Sequence, residues 1–194
     1  MGIVEKDFYK RVEQHDKKAL PLVNIVFKKH GFLLFPFGGE LEPELQRTLD
    51  KLRNETGQML RYRPDSVAVN SENGIVLLLE IKSKESNSPN FAVEIDAWNA
   101  LNLWNQDVRR VLCVFVDVLV MEVLARWPDE LSPRKIFVPR ADDIQRLKAQ
   151  FPPSSITYLP NVRDGSKTAF FLVPKSELSP VDVMLTDLRL AIII

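Results

Sequence analysis

The chain has 194 residues, 45% of them hydrophobic and 27% charged, which excludes a disordered chain and fits a single domain with a sizeable core. Its 26 basic and 26 acidic side chains cancel, so no overall basic charge marks a nucleic-acid binder, and any such contact must come from a local patch. One cysteine, Cys113, and two histidines, His15 and His30, exclude a disulfide framework within the chain and argue against a structural zinc site.

Residues 1–18 are charged and lack the apolar core of a signal peptide. The longest apolar stretch, 111–120, is broken by Asp117 and is too short to span a membrane. The chain therefore reads as soluble and cytoplasmic. Phe8, Val12, Leu20, Val23, Ile25, Val26 and Phe27 form a helix-like apolar pattern, with a break near Pro21 and a stop at Gly31. FLLFPF follows as a short strand ended by Gly38-Gly39. Residues 42–56 read as a second helix, with Pro43 in its first turn, Leu45, Leu49 and Leu52 on one face, and Gly57 as its stop.

QMLRYR then reads as a strand, interrupted by Pro64 and resumed by SVAV. Asn73-Gly74 marks a hairpin turn, and IVLLLEIKSK returns as the partner strand. FAVEIDAWNALNLWNQ reads as an amphipathic helix with Phe91, Ile95, Trp98 and Leu101 towards the core. RRVLCVFVDVL is a buried strand, and VMEVLARW and RKIFVP are further strands. ADDIQRLKAQF is a helix with acids in its first turn. SSITYLP and TAFFLVPK are two late strands. The apolar tail 190–194 either adds a strand or packs in a subunit interface. Helices and strands interleave around a central apolar hairpin, which predicts an α/β fold: a mixed central sheet flanked by helices, with a small α+β extension.

The hairpin carries the chemistry. A carboxylate in an apolar strand is costly unless it is paired or wet. Glu80 and Lys82 sit two residues apart and share one strand face. Folding about the Glu72–Asn73 bond brings Asp65 opposite Glu80. Two carboxylates this close repel, and a bound cation relieves the repulsion. Two hard oxygen ligands suit Mg²⁺, which keeps waters and pairs with phosphates. Lys82 on the same face is placed to orient a water or to neutralise charge on a phosphate. The competing reading is a wet strand end carrying a simple surface pair.

Pro64-Asp65 followed by Glu80-Ile81-Lys82 resembles the PD-(D/E)XK nuclease superfamily. Asp16-x-Lys18 and Pro128-Asp129 match parts of the same pattern. Only Asp65, Glu80 and Lys82 share a hairpin, with a helix and an apolar strand after it. The resemblance implies a restriction-endonuclease-like core of helix, three antiparallel strands, helix and strand, over about residues 5–120 of a single domain spanning 1–194. The stretch 121–194 would be the extension. It also implies that Asp65, Glu80 and the carbonyl of Ile81 hold Mg²⁺ or Mn²⁺, that Lys82 assists the attacking water, and that the chain is a nuclease hydrolysing phosphodiester bonds in DNA. An additional acid from a helix, Glu13 or Glu44, is expected in many such proteins. Arg61, Arg63 and Lys84 flank the hairpin as phosphate contacts, and the apolar tail suits a homodimer. The alternative is a nuclease-fold binding or assembly module that does not cut.

Overall fold

A computed structural model of the chain describes residues 15–37, 54–108, 110–160 and 168–190. A π-helical turn, His15–Ala19, leads into helix α1, Leu20–Lys29. Pro21 stands in the first turn of α1, where proline is tolerated. Ala19, Val23 and Phe27 lie on one stripe and are fully buried. Gly31, at φ 78°, stops the helix in a conformation that suits glycine. Strand β1, Leu33–Pro36, follows.

Helix α2, Glu55–Arg61, comes next. Here the sequence expectation fails: QMLR is helical, and Gly57 lies inside the helix instead of ending one. The reason is a local cap. The Asn54 side chain accepts a hydrogen bond from the Gly57 N–H at 2.8 Å and starts the helix there. The Trp104 indole then holds the short helix by donating to the Met59 carbonyl at 3.1 Å. The predicted helix over 42–56 lies largely outside the described residues.

Strands β2, Ser66–Asn70, and β3, Ile75–Lys84, form the expected hairpin. Asn70 Oδ1 accepts from the N–H groups of Glu72 and Asn73, and Gly74 takes φ +71° to close the turn. Strand β4, Asn90–Glu94, replaces what reads as the first turn of a helix. Phe91 and Val93 are buried at period two, and β4 pairs along its whole length with a strand some 80 positions later. Helix α3 therefore spans only Ile95–Val108. Strands β5, Val111–Asp117, β6, Glu122–Arg126, and β7, Ile136–Val138, follow. Helix α4 is Ala141–Lys148, with β8, Ile156–Tyr158, and β9, Phe170–Pro174, after it. A two-residue strand β10, Ser179–Pro180, and helix α5, Val181–Leu190, complete the order.

Two sheets result. The larger runs β1-β2-β3-β5-β6-β10, with β1, β2 and β3 antiparallel and β5 joined in parallel to β3 through α3. The smaller runs β4-β9-β7-β8. Strand β5, central in the larger sheet, is buried at all seven positions. One face of the larger sheet packs Leu77, Leu79, Leu112 and Val114 against α1 and against Val181 and Leu185 of α5. The other packs Leu78, Cys113 and Phe115 against α3 and the smaller sheet through Phe91, Leu101 and Phe171. Residues after 120 are thus not an appendage: β6 and β10 widen the larger sheet, α5 covers one face, and β9 is the partner that keeps β4 a strand. Among the described residues no helix is long and apolar enough to cross a membrane.

Candidate functional site

The β2–β3 register sets Ser66 opposite Leu79 as its last pair on this side. Asp65 is the next residue out, so it faces the Glu80 position where the ladder ends. The ladder is finished by a side chain: Asp65 Oδ2 accepts the Ile81 N–H at 2.7 Å. The Ile81 carbonyl faces the same edge, because N–H and C=O of one strand residue point the same way. The Asp65 carbonyl in turn accepts from the Phe37 N–H at 3.0 Å, which fixes the end of β1 against the site.

Glu80 and Lys82 project from the sheet face shared with Leu78, Cys113 and Phe115. Glu80 is buried, at 7% exposure, and its Oε1 lies 2.6 Å from the Lys82 ammonium. Burial alone would lower the affinity of Lys82 for its proton. The charges of Glu80, Asp65 and Glu94 outweigh burial and hold the ammonium above the ordinary lysine range. Burial, and then the Glu80 charge, push the neighbouring Cys113 thiol well up, so this cysteine is an inert core residue.

The candidate donors for a cation are hard oxygens: a carboxylate just before β2, a carboxylate on β3 and a main-chain carbonyl. Among the described residues no group of three or more His, Cys, Asp or Glu side chains could hold a metal. Two carboxylates still fit Mg²⁺, which uses one or two and completes its shell with water and phosphate. The Lys82 ammonium stands where a cation would neutralise Glu80.

The other expected residues fall in different places. Glu13 and Glu44 lie outside the described residues. Arg61 ends α2 and Arg63 follows it, so neither shares a strand face with Asp65, correcting the strand reading of QMLRYR. Arg61 lies 5.1 Å over the Tyr62 ring, and Arg63 donates to the Leu60 carbonyl at 3.5 Å. Lys84 is in register with Lys82, but its ammonium sits 2.9 Å from Asp117 Oδ2 and 5.0 Å from the centre of the Phe91 ring, and it also donates to the Ser88 carbonyl. Lys175 joins this cluster, 3.2 Å from Asp117 and 2.5 Å from Glu122. Burial would raise the Asp117 carboxyl, but hydrogen bonds from Lys84 and Lys175 bring it below the usual aspartate range.

Glu94 reads differently in the structure than in the sequence. Placed on a helix, it reads as an ordinary exposed acid. As the last residue of β4, half-buried, it brings a third carboxylate to bear on Lys82. The alternation of Phe91 and Val93 was the available signal.

No family model and no curated protein matches the chain. Among solved structures the chain is similar to Hjc, a Holliday junction resolvase of Archaeoglobus fulgidus, at 11% identity and a TM-score of 0.44, with 84% of this chain and 93% of that one covered. It is also similar to D212, a nuclease from a fusselovirus, at 14% identity and a TM-score of 0.40, with 99% and 93% covered.

Proposed function

We propose that the chain is a metal-dependent nuclease that hydrolyses phosphodiester bonds in DNA. The observation that supports this reading is the hairpin register. It brings Asp65 to the end of the ladder opposite Glu80, with Lys82 on the same face as Glu80. In this reading Asp65, Glu80 and the Ile81 carbonyl hold Mg²⁺ or Mn²⁺. Such an ion, when bound, lowers the pKa of a water and stabilises charge on a phosphoryl oxygen. Asp65 also anchors the Ile81 N–H at the end of the ladder, beside the carbonyl proposed as a ligand. Lys82 is a fixed positive charge beside the carboxylates, suited to stabilising the charge that develops on the phosphate.

The test is cleavage of single-stranded, duplex and branched DNA by purified protein with Mg²⁺ or Mn²⁺. Activity should disappear on chelation and in the Asp65→Ala and Lys82→Ala variants. Absence of cleavage of every DNA and RNA form with either metal would overturn the reading.

The closed Lys82–Glu80 pair favours a second reading, a nuclease-fold module that binds nucleic acid or an assembly partner without cutting. A gel shift without cleavage, unchanged by Glu80→Gln, would point there.

A further inference from the structure

A cleft of about 610 Å³ opens between α2, α3 and the end of α4, lined by Glu55, Gln58, Trp98, Asn99, Asn102, Leu103, Gln150 and Phe151. It is open to solvent, and its volume would admit a small organic group. The lining is unusual in kind. Four of its eight side chains are carboxamides, each offering a donor and an acceptor. Trp98 and Phe151, with ring centroids 6.2 Å apart, supply aromatic surface.

That surface is held in place. The Trp98 indole donates to the Pro128 carbonyl at 2.9 Å, and the ring meets Phe171 edge-on at 5.9 Å. Asn102 donates to the Trp98 carbonyl at 2.9 Å, and Asn99 reaches Gln150 at 3.4 Å. The single ionisable lining group is Glu55, an acid. A phosphate would meet no cation here and one negative charge. The lining suits a flat, uncharged, hydrogen-bonding heterocycle.

Helix α3, which lines the cleft, also reaches the surroundings of the hairpin site. Trp104 of α3 meets Phe37 edge-on at 6.0 Å, and the Phe37 N–H binds the Asp65 carbonyl. At its other end α3 begins directly after Glu94, whose charge acts on Lys82. Trp98 lies one helical turn further along. Arg61 and Arg63 stand between Gln58 and Asp65 in the chain, basic residues on the way from cleft to site.

We propose that this cleft takes one unpaired nucleobase of the substrate strand, with Trp98 as its stacking surface and Gln58, Asn99, Asn102 and Gln150 reading its edge. The assignment rests on the nuclease reading and narrows it: the substrate carries an extruded or single-stranded nucleotide. Unpaired bases are held elsewhere in this way, by aromatic stacking together with contacts to their exposed edges.

The test avoids catalysis. In metal-free buffer, deoxyadenosine, deoxycytidine, deoxyguanosine and thymidine are titrated separately into full-length protein while the side-chain amide and indole resonances are followed. Shifts confined to the four carboxamides and Trp98, with at least one nucleoside, are expected. Resonances that stay still with all four overturn the proposal. A second arm scans one abasic position along a single-stranded oligonucleotide. Binding should weaken at one or two positions for the wild type, and the dip should be shallower for the doubly substituted Gln58→Ala, Gln150→Ala protein. That protein should bind the intact strand about threefold to tenfold more weakly. A flat scan for the wild type also overturns the proposal. Cleavage without nucleoside binding removes the cleft and leaves the nuclease. Nucleoside binding without cleavage removes the nuclease and leaves the cleft.

Discussion

The Lys82 ammonium lies 2.6 Å from Glu80 Oε1, on a face where Glu80 is almost fully buried. In the nuclease reading, lysine and divalent cation would therefore be rivals for one carboxylate. Lys82→Met should bind Mn²⁺ at least as tightly as the wild type while cutting DNA at least about 100-fold more slowly. Calorimetric titration beside a cleavage assay reads both numbers. Weaker metal binding in this variant would show that the lysine organises Glu80 and does not compete for it. Without added metal the same variant should lose about 1–3 kcal/mol of stability, because a buried carboxylate loses its ammonium neighbour.

Asp65 has two separable duties, an amide acceptor and a charge. Asp65→Asn keeps an oxygen for the Ile81 N–H, so its stability should stay within about 1 kcal/mol of the wild type. Its metal-dependent cleavage should nonetheless fall at least about 100-fold. Asp65→Ala should lose both. Urea unfolding and a cleavage assay, run on the three proteins together, distinguish charge from scaffold.

The Asp117 cluster predicts a pH dependence. Its folded pKa lies below the unfolded value of about 4, so the ionised form contributes stability above that value. The contribution is lost as pH falls through the lower folded pKa. Thermal melts of the wild type should show stability falling below about pH 4. In Asp117→Asn that part of the decline should be missing, at the cost of lower stability at neutral pH. An unchanged acid limb in the variant would count against the assignment.

Leu185 is fully buried against α1 and the larger sheet, although it comes from the last described helix. Leu185→Ala should cost about 2–5 kcal/mol. Urea unfolding should show a single transition moved to lower concentration. A separate early transition for the C-terminal part would mean that α5 is docked on the core and is not a piece of it.

The hairpin could be read from the sequence because one short turn carries its own instructions. Asn73-Gly74 marks a turn whose centre falls at Glu72–Asn73, and an apolar strand on each side keeps the register from slipping. The neighbourhood of Asp65 and Glu80 follows from that alone. Arg61 was harder, since Gly57 stops helices as readily as it tolerates a position next to an Asn cap. Phe91 and Ile95 fit a helix at spacing four, while Phe91 and Val93 fit a strand at spacing two. Only the distant strand β9 decides between them. Helix α5 had a readable pattern in Val181, Leu185 and Leu188 after Pro180, but it lay beyond the region that the motif made prominent.

Pairing of Phe91 with Val173 has a consequence for how the protein is made. A ribosome delivers Asp65, Glu80 and Lys82 long before it delivers residue 173. Until then β4 has no partner, and the face that carries Glu80 lacks Phe171 and Val173 to close over it. The long closure must be completed late, and a growing chain exposes this half-covered apolar surface in the meantime. Nascent chains halted before β9 should be open to protease across 90–94, and chains that have passed it should not.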